Sequence, residues 1–198
     1  LETLRQPLET GEIWIARASA HIRYPCRFLL IAAANPCKCG YLYQAERACN
    51  KAPHCGAHYF QRLSGPLLDR FDLCVHVEAT SFTSLQNHEL GETTGDIAAR
   101  VRAARRCQSL RFSAHDGIHS NADAHGKLLT QTCALATETI SWLHKALDHF
   151  QLSPRGYHRM LRVARTIADL EGSDTIEKPH LSEALSFRPF PASGETAK

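Results

Sequence analysis

Arg27-Phe28-Leu29-Leu30-Ile31-Ala32-Ala33-Ala34-Asn35-Pro36-Cys37 is the stretch on which the reading of the fold turns. From Phe28 to Ala34 no side chain is polar, and the run is bounded by Pro25 and Pro36. Too short for a typical buried helix, it predicts a strand buried on both faces, as in a parallel sheet. Asn35 falls at the carboxyl end of that strand, where open α/β sheets bind their ligands. Its side-chain amide can orient a water without becoming charged. Taken alone, an Asn before Pro is more often a turn residue.

Upstream, Leu1 to Glu9 has the spacing of a helix that Gly11 ends. Residues 12–17 and 22–24 flank Ala18-Ser19-Ala20-His21 and predict a β-hairpin with a turn longer than two residues. Downstream, residues 36–58 form a Cys-, Gly- and His-containing loop. A short helix near 57–63 and the punctuation Ser64-Gly65-Pro66 follow, and Leu67-Leu68-Asp69-Arg70 leads into a second expected strand, Phe71 to Glu78. In that strand His76 is expected to be packed. Residues 79–92 are polar and predict a linker. From 93 to 188 the pattern is helical: Asp96 to Phe112, a loop at 113–126, Thr132 to Phe150, Pro154 to Leu170 and Ile176 to Phe187. Ser153 and Pro154 suit the N-cap and first helical position, and Gly172 suits a stop. Residues 189–198 read as a tail. The predicted organisation is an α/β part over 1–78 and an all-helical part over 93–188.

Composition narrows the class. Hydrophobic residues make up 43% and charged residues 22%, as in ordinary globular proteins, and no apolar run approaches the ~20 residues of a membrane span. A net charge of +3 permits nucleic-acid binding without arguing for it. Of the eight cysteines, Cys37, Cys39, Cys49 and Cys55 cluster, while Cys26, Cys74, Cys107 and Cys133 are scattered through periodic segments and expected to be buried small apolar residues. That distribution predicts a reduced, cytoplasmic protein with one metal-type cluster rather than a disulfide scaffold. The chain opens on Leu1-Glu2-Thr3-Leu4-Arg5-Gln6, which reads as mid-helix, so a longer parent protein is expected.

The clustered cysteines are spaced C-x-C-x9-C-x5-C, and four thiolates in one loop can close around Zn²⁺ at ~2.3 Å each. His54 or His58 could replace one of them; the alternative is a loop that binds nothing. In the helix after Ser153, Arg155, Arg159, Arg162 and Arg165 alternate with apolar positions, and all but Arg155 are expected on a solvated or intersubunit face.

Several blocks together carry a resemblance. Leu4-Arg5-Gln6-Pro7-Leu8-Glu9, Asn35 to Tyr41, Ser64 to Asp72, Leu152 to Tyr157 and Leu161 to Leu170 occur in an order similar to the ComM/YifB family of magnesium-chelatase-like AAA+ ATPases. The resemblance covers residues 1–188. It implies the C-terminal half of a nucleotide-binding core followed by a helical lid, working as a homo-hexamer with ATP and Mg²⁺ between subunits. It further implies a DNA motor linked to natural transformation, of the branch-migration helicase kind. Asn35 matches the sensor-1 position and Arg70 the arginine finger; Arg155 matches sensor 2. A fixed guanidinium beside the transferring phosphoryl group is worth ~10³–10⁵ in rate. The hairpin matches one that faces a central pore in related ATPases, which makes Arg17, His21 and Arg23 candidate DNA contacts.

Two features depart from that pattern. No G-x-x-x-x-G-K-[ST] stands in the sequence, and no apolar strand ending in Asp-Glu precedes Leu1, so the chain is expected to be inactive alone. Lys51 stands where the family's later cysteine pair would have its second member. Two other readings remain open: a chelatase-type remodelling subunit, and a non-catalytic zinc-stabilised module for DNA binding or assembly.

Overall fold

A computed structural model describes residues 1–42, 46–52, 54–56, 64–77, 91–150 and 152–188, the side chains of 148–150 excepted. The helix expected near 57–63, His58, Glu78, nearly all of the expected linker and the tail lie outside the described residues. The described chain forms two compact units, one within Leu1–Phe71 and one spanning Asp72–Arg188.

In the first unit a 3₁₀ turn, Glu2–Leu4, runs into helix α1, Arg5–Thr10. Gly11 closes α1 in the left-handed region at φ 68°, donating its N–H to the Pro7 carbonyl at 2.9 Å. Strands β1, Glu12–Arg17, and β2, Ala20–Pro25, form the expected hairpin. Arg17 pairs with Ala20, however, which leaves only Ala18-Ser19 in the turn. Backbone ladder bonds do not depend on side-chain type, so pairing continues through Ala20 and His21. Residues opposite each other share a face. Ile13, Ile15, Arg17, Ile22 and Tyr24 therefore lie on one side of the ribbon, and Glu12, Trp14, His21 and Arg23 on the other.

The run expected to be a doubly buried strand differs from that expectation. Residues 27–34 belong to no strand, and Leu29 and Ile31 are 85% and 84% exposed. A parallel strand takes its hydrogen bonds and its burial from neighbours on each side, and among the described residues none lies beside this one. Near the end of the unit Ser64 caps a one-turn helix α2, Gly65–Leu68, accepting the Leu67 N–H at 3.3 Å, and Leu67 is buried.

The second unit opens with 72–77, which also forms no strand; Leu73, Val75 and Val77 are exposed, and His76 is exposed rather than packed. The Cys74 amide donates to the Phe187 carbonyl at 2.8 Å. Helix α3, Thr94–Arg111, starts at Thr93, whose Oγ1 accepts the Asp96 N–H. A 3₁₀ turn at Asn121–Asp123 then leads to α4, Gly126–Thr132, and α5, Thr137–Phe150. The helix expected over 132–150 starts later, as α5, and a separate α4 precedes it: Cys133 leaves the helical path at ψ 31° and is buried in the core. Helix α6, Pro154–Glu171, is capped by Ser153 as expected, with Gly172 left-handed at φ 80° behind it, and α7 spans Lys178–Ser186.

Helix α6 organises this core. Met160, Leu161, Ala164 and Ala168 recur at helical spacing and are buried against Phe112, Leu129, Leu143, Ile176, Leu181 and Leu185. Each large apolar side chain withdrawn there contributes about 1.5–3 kcal/mol. No helix among the described residues is long and apolar enough to cross a membrane.

Candidate functional site

Two turns build the cysteine site. The Gly40 N–H donates to the Cys37 carbonyl at 3.1 Å and the Ala52 N–H to the Cys49 carbonyl at 2.9 Å, so each segment folds back on its first cysteine. Gly40 sits at φ 81°, where a side chain would be strained. Gly56 has no room for one either: a Cβ there would come within 2.6 Å of Leu42 and 3.2 Å of the Pro36 carbonyl. These constraints let Cys55 close on the first turn.

The Sγ atoms of Cys37, Cys39 and Cys55 lie within 4.8 Å of one another, with Cys37 and Cys39 at 2.9 Å. All are thiols rather than disulfides. Cys49 lies close enough to influence Cys39 and Cys55 but stands outside the set of three within 4.8 Å. A hydrogen bond from Cys37, then bonds from the backbone of Tyr41 and Cys49, bring Cys39 down to about 6. Burial first, then Cys49 and Cys37, pushes Cys55 up to about 12. Tetrahedral Zn–S bonds of ~2.3 Å set sulfurs about 3.8 Å apart, inside the observed range. Soft donors in that number and spacing fit zinc. His54 is exposed and outside the sulfur group.

Asn35 is exposed and sits immediately before this loop, at the end of residues 27–34 rather than at the mouth of a formed sheet. Arg70 is folded inward. Its Nε lies 3.1 Å from a Glu9 carboxylate oxygen and 3.1 Å from the Arg5 carbonyl, and Nη1 donates to the Pro66 carbonyl. The side chain is only 10% exposed, and Glu9 is its ion-pair partner. A second arginine reaches the same segment: Arg5 Nη2 donates to Ser64 Oγ at 2.7 Å, which ties α1 to residues 64–70 twice.

In the second unit Arg155 stands exposed at the second position of α6. Of the other arginines of that helix, Arg165 departs from the expected solvated or intersubunit face, and Arg159 and Arg162 are half-buried and bonded within the unit. Arg159 bonds Asp72 at 2.6 Å, and Arg162 donates to the Ala124 carbonyl and meets His125 Nδ1. Arg165 is 2% exposed, bonded to Asp169 and to the Ser173 and Asp174 carbonyls. A guanidinium with five donors can be buried where carboxylate and carbonyl oxygens surround it, as here. Asp169 also receives Arg111 at 2.8 and 2.5 Å and Asn121 at 2.8 Å. Burial pushes this carboxyl up, but the bonds from Arg111 and Asn121 and the charge of Arg165 outweigh it and hold it below the ordinary carboxylate value. The i, i+4 spacing of Arg165 and Asp169 was a readable signal for this network; Arg111, 58 residues away from Asp169, offered none.

At the hairpin, Arg17 falls on one face, and His21 and Arg23 on the other, so the three are not brought to one surface. Arg23 pairs loosely with Glu12 at 3.4 Å. Of the scattered cysteines only Cys133 is buried; Cys26 and Cys74 are half-buried and Cys107 is exposed.

Two family profiles match the chain. The family profile described as magnesium chelatase, subunit ChlI, matches residues 1–85, and that of the ChlI C-terminal region matches 91–188. The chain belongs to this magnesium-chelatase-like family. It is 43% identical over 189 residues to Competence protein ComM of Haemophilus influenzae, an alignment covering 95% of the chain and 36% of that protein. It is 40% identical over 189 residues to YifB of Escherichia coli and to YifB of Salmonella typhimurium, with the same coverage. The chain therefore spans about 36% of the length of these curated relatives.

Proposed function

We propose that this chain is part of an ATP-driven, ring-forming motor that acts on DNA, contributing the sensing and trans-acting residues of its nucleotide site. The observation that carries the reading is the pair of apolar segments left bare, each in its own unit. Leu29 and Ile31 in 27–34, and Val75 and Val77 in 72–77, are exposed by two thirds or more. Each such side chain forgoes about 1.5–3 kcal/mol of burial, a cost expected of sheet strands whose neighbours lie elsewhere. In a chain that aligns with 36% of a longer relative, the missing neighbours are the rest of a nucleotide-binding sheet.

In that assembly Asn35 would hold the attacking water through its amide, and Arg155 would face the phosphates from the start of α6. Arg70 would exchange Glu9 for the phosphoryl oxygens of an adjoining subunit, which makes hydrolysis depend on assembly. ATP and Mg²⁺ supply the phosphoryl group and the charge that holds it. With no phosphate-cradling loop in the sequence, these 198 residues alone should not turn ATP over.

The cysteine group is proposed to hold one structural Zn²⁺ through Cys37, Cys39, Cys49 and Cys55. Converging sulfurs would otherwise crowd a nearly coreless loop. Lys38, Arg47 and Lys51 in the same loop would offset the negative charge of four thiolates. Localisation in the cytoplasm follows from this reading, since that compartment keeps thiols reduced.

The deciding experiment measures ATP turnover, with and without duplex or branched DNA, for a polypeptide of the relatives' length carrying these residues. DNA-stimulated turnover supports the motor. Turnover that ignores DNA but responds to a porphyrin-metallating partner favours a remodelling subunit instead, the reading that the chelatase profile itself suggests. DNA binding with no turnover favours the zinc-stabilised module.

A further inference from the structure

Helix α3 is long yet hardly packed: of its 18 residues only Ala104 and Gln108 are buried. Its arginines fall into two groups. Those near the ends are neutralised within the protein. Arg100 makes two bonds to the Glu92 carboxylate, at 2.6 and 2.9 Å, and Arg111 is held by Asp169. The middle three are treated differently. Arg102, Arg105 and Arg106 are exposed and, at 3.6 residues per turn, fall within an arc of about 100°, with Ser109 between them. Among the described residues none of them has an ion pair, and no acidic residue of α3 lies on that arc; Arg105 reaches only the Gln108 amide oxygen at 3.4 Å.

Arg102 and Arg106 are also one turn apart, so like charges stack along the face, an arrangement that weakens an isolated helix. A surface serving solubility alone would set a carboxylate against these positions, as Glu92, just before the helix, is set against Arg100. Uncompensated guanidinium groups in a row instead complement a polymer with regularly spaced anions.

We propose that Arg102, Arg105 and Arg106 on α3 form a binding surface for the phosphodiester backbone of nucleic acid, separate from the hairpin. The surface does not require the ATPase reading, because backbone binding needs no nucleotide. The test is fluorescence anisotropy of labelled single-stranded and duplex 30-mers with the 198-residue chain, repeated from about 50 to 200 mM salt. Variants are R102Q/R105Q/R106Q on α3 and R17Q/H21Q/R23Q on the hairpin. All three arginines are exposed, so circular dichroism and melting of the α3 variant should match the parent. The expected result is a loss of about tenfold or more in affinity on the α3 change. The log–log salt slope should fall by about 2–3, from some three phosphate contacts at roughly 0.9 each for duplex DNA. Which of the two 30-mers loses more identifies the form of strand read. The proposal is overturned if the α3 variant keeps the parental affinity and slope. It is equally overturned if labelled poly-glutamate binds as tightly as DNA, or if only the hairpin variant loses binding.

Discussion

Arg165 and Asp169 lie one turn apart on α6, are 2% and 1% exposed at their side chains, and meet at 3.0 Å. The pair joins three elements, because Arg111 from α3 and Asn121 from the 3₁₀ turn close on the same carboxylate. Removing the charge leaves Arg165 buried without its anion. Asp169→Asn is therefore expected to cost about 3–5 kcal/mol of the helical unit's stability, read by denaturant unfolding. Asp72→Asn, which strips an exposed carboxylate from Arg159, should cost less than about 1 kcal/mol. Equal losses in the two variants would show that burial does not set the value of these pairs.

The same carboxylate sets an acid limit. Asp169 titrates below its ordinary value of 3.8, so the folded state binds its proton less readily than the unfolded chain. Its contribution is complete above about pH 4 to 5 and is lost as pH falls through the still lower folded value. Stability of Asp169→Asn should accordingly be flatter with pH than the parent's in that acid window. Parallel curves from pH 5 to 2 would assign the acid sensitivity to other groups.

Protein purified without chelator should carry one zinc per chain by elemental analysis. Cys37→Ser and Cys55→Ser should each bring the content well below one and lower the melting temperature of the first unit. Cys107→Ser, which changes an exposed thiol on α3, should alter neither. Metal content that stays at background in the parent protein would remove zinc from the account.

Ser153 caps α6, accepting the Gly156 N–H at 3.0 Å, and so fixes the turn that presents Arg155. Ser153→Ala should destabilise the helical unit by about 1 kcal/mol and speed amide exchange over the first turn of α6. Unchanged exchange there would mean that Pro154 alone holds the turn.

Features set by neighbouring residues were legible in the sequence. Gly11 and Gly172 end their helices in the left-handed region, Ser153-Pro154 starts one, and the hairpin pairs where its apolar strands lie. The cysteine spacing likewise anticipated sulfurs that converge. What sequence could not supply was the environment. Residues 27–34 have a strand's composition, but a strand's burial comes from other segments, and Leu29 and Ile31 remain exposed. The inward turn of Arg70 depends on Glu9 and Arg5, more than sixty residues upstream, and no local pattern encodes it. Nor does a Gly or Pro mark the break between α4 and α5; Cys133 turns there to fill the core.

The trans role of Arg70 is the part of the motor account that mixing of subunits tests most directly. One polypeptide of the relatives' length would carry Arg70→Ala, and a second an inactivated phosphate-binding loop with Arg70 intact. Neither should hydrolyse ATP alone. Mixed before assembly, an intact loop from one can face an intact Arg70 from the other, so turnover is predicted to rise well above either parent. Turnover that stays at background at every mixing ratio, with mixed rings confirmed by mass, would contradict a finger supplied between subunits and leave Arg70 as a brace for Glu9.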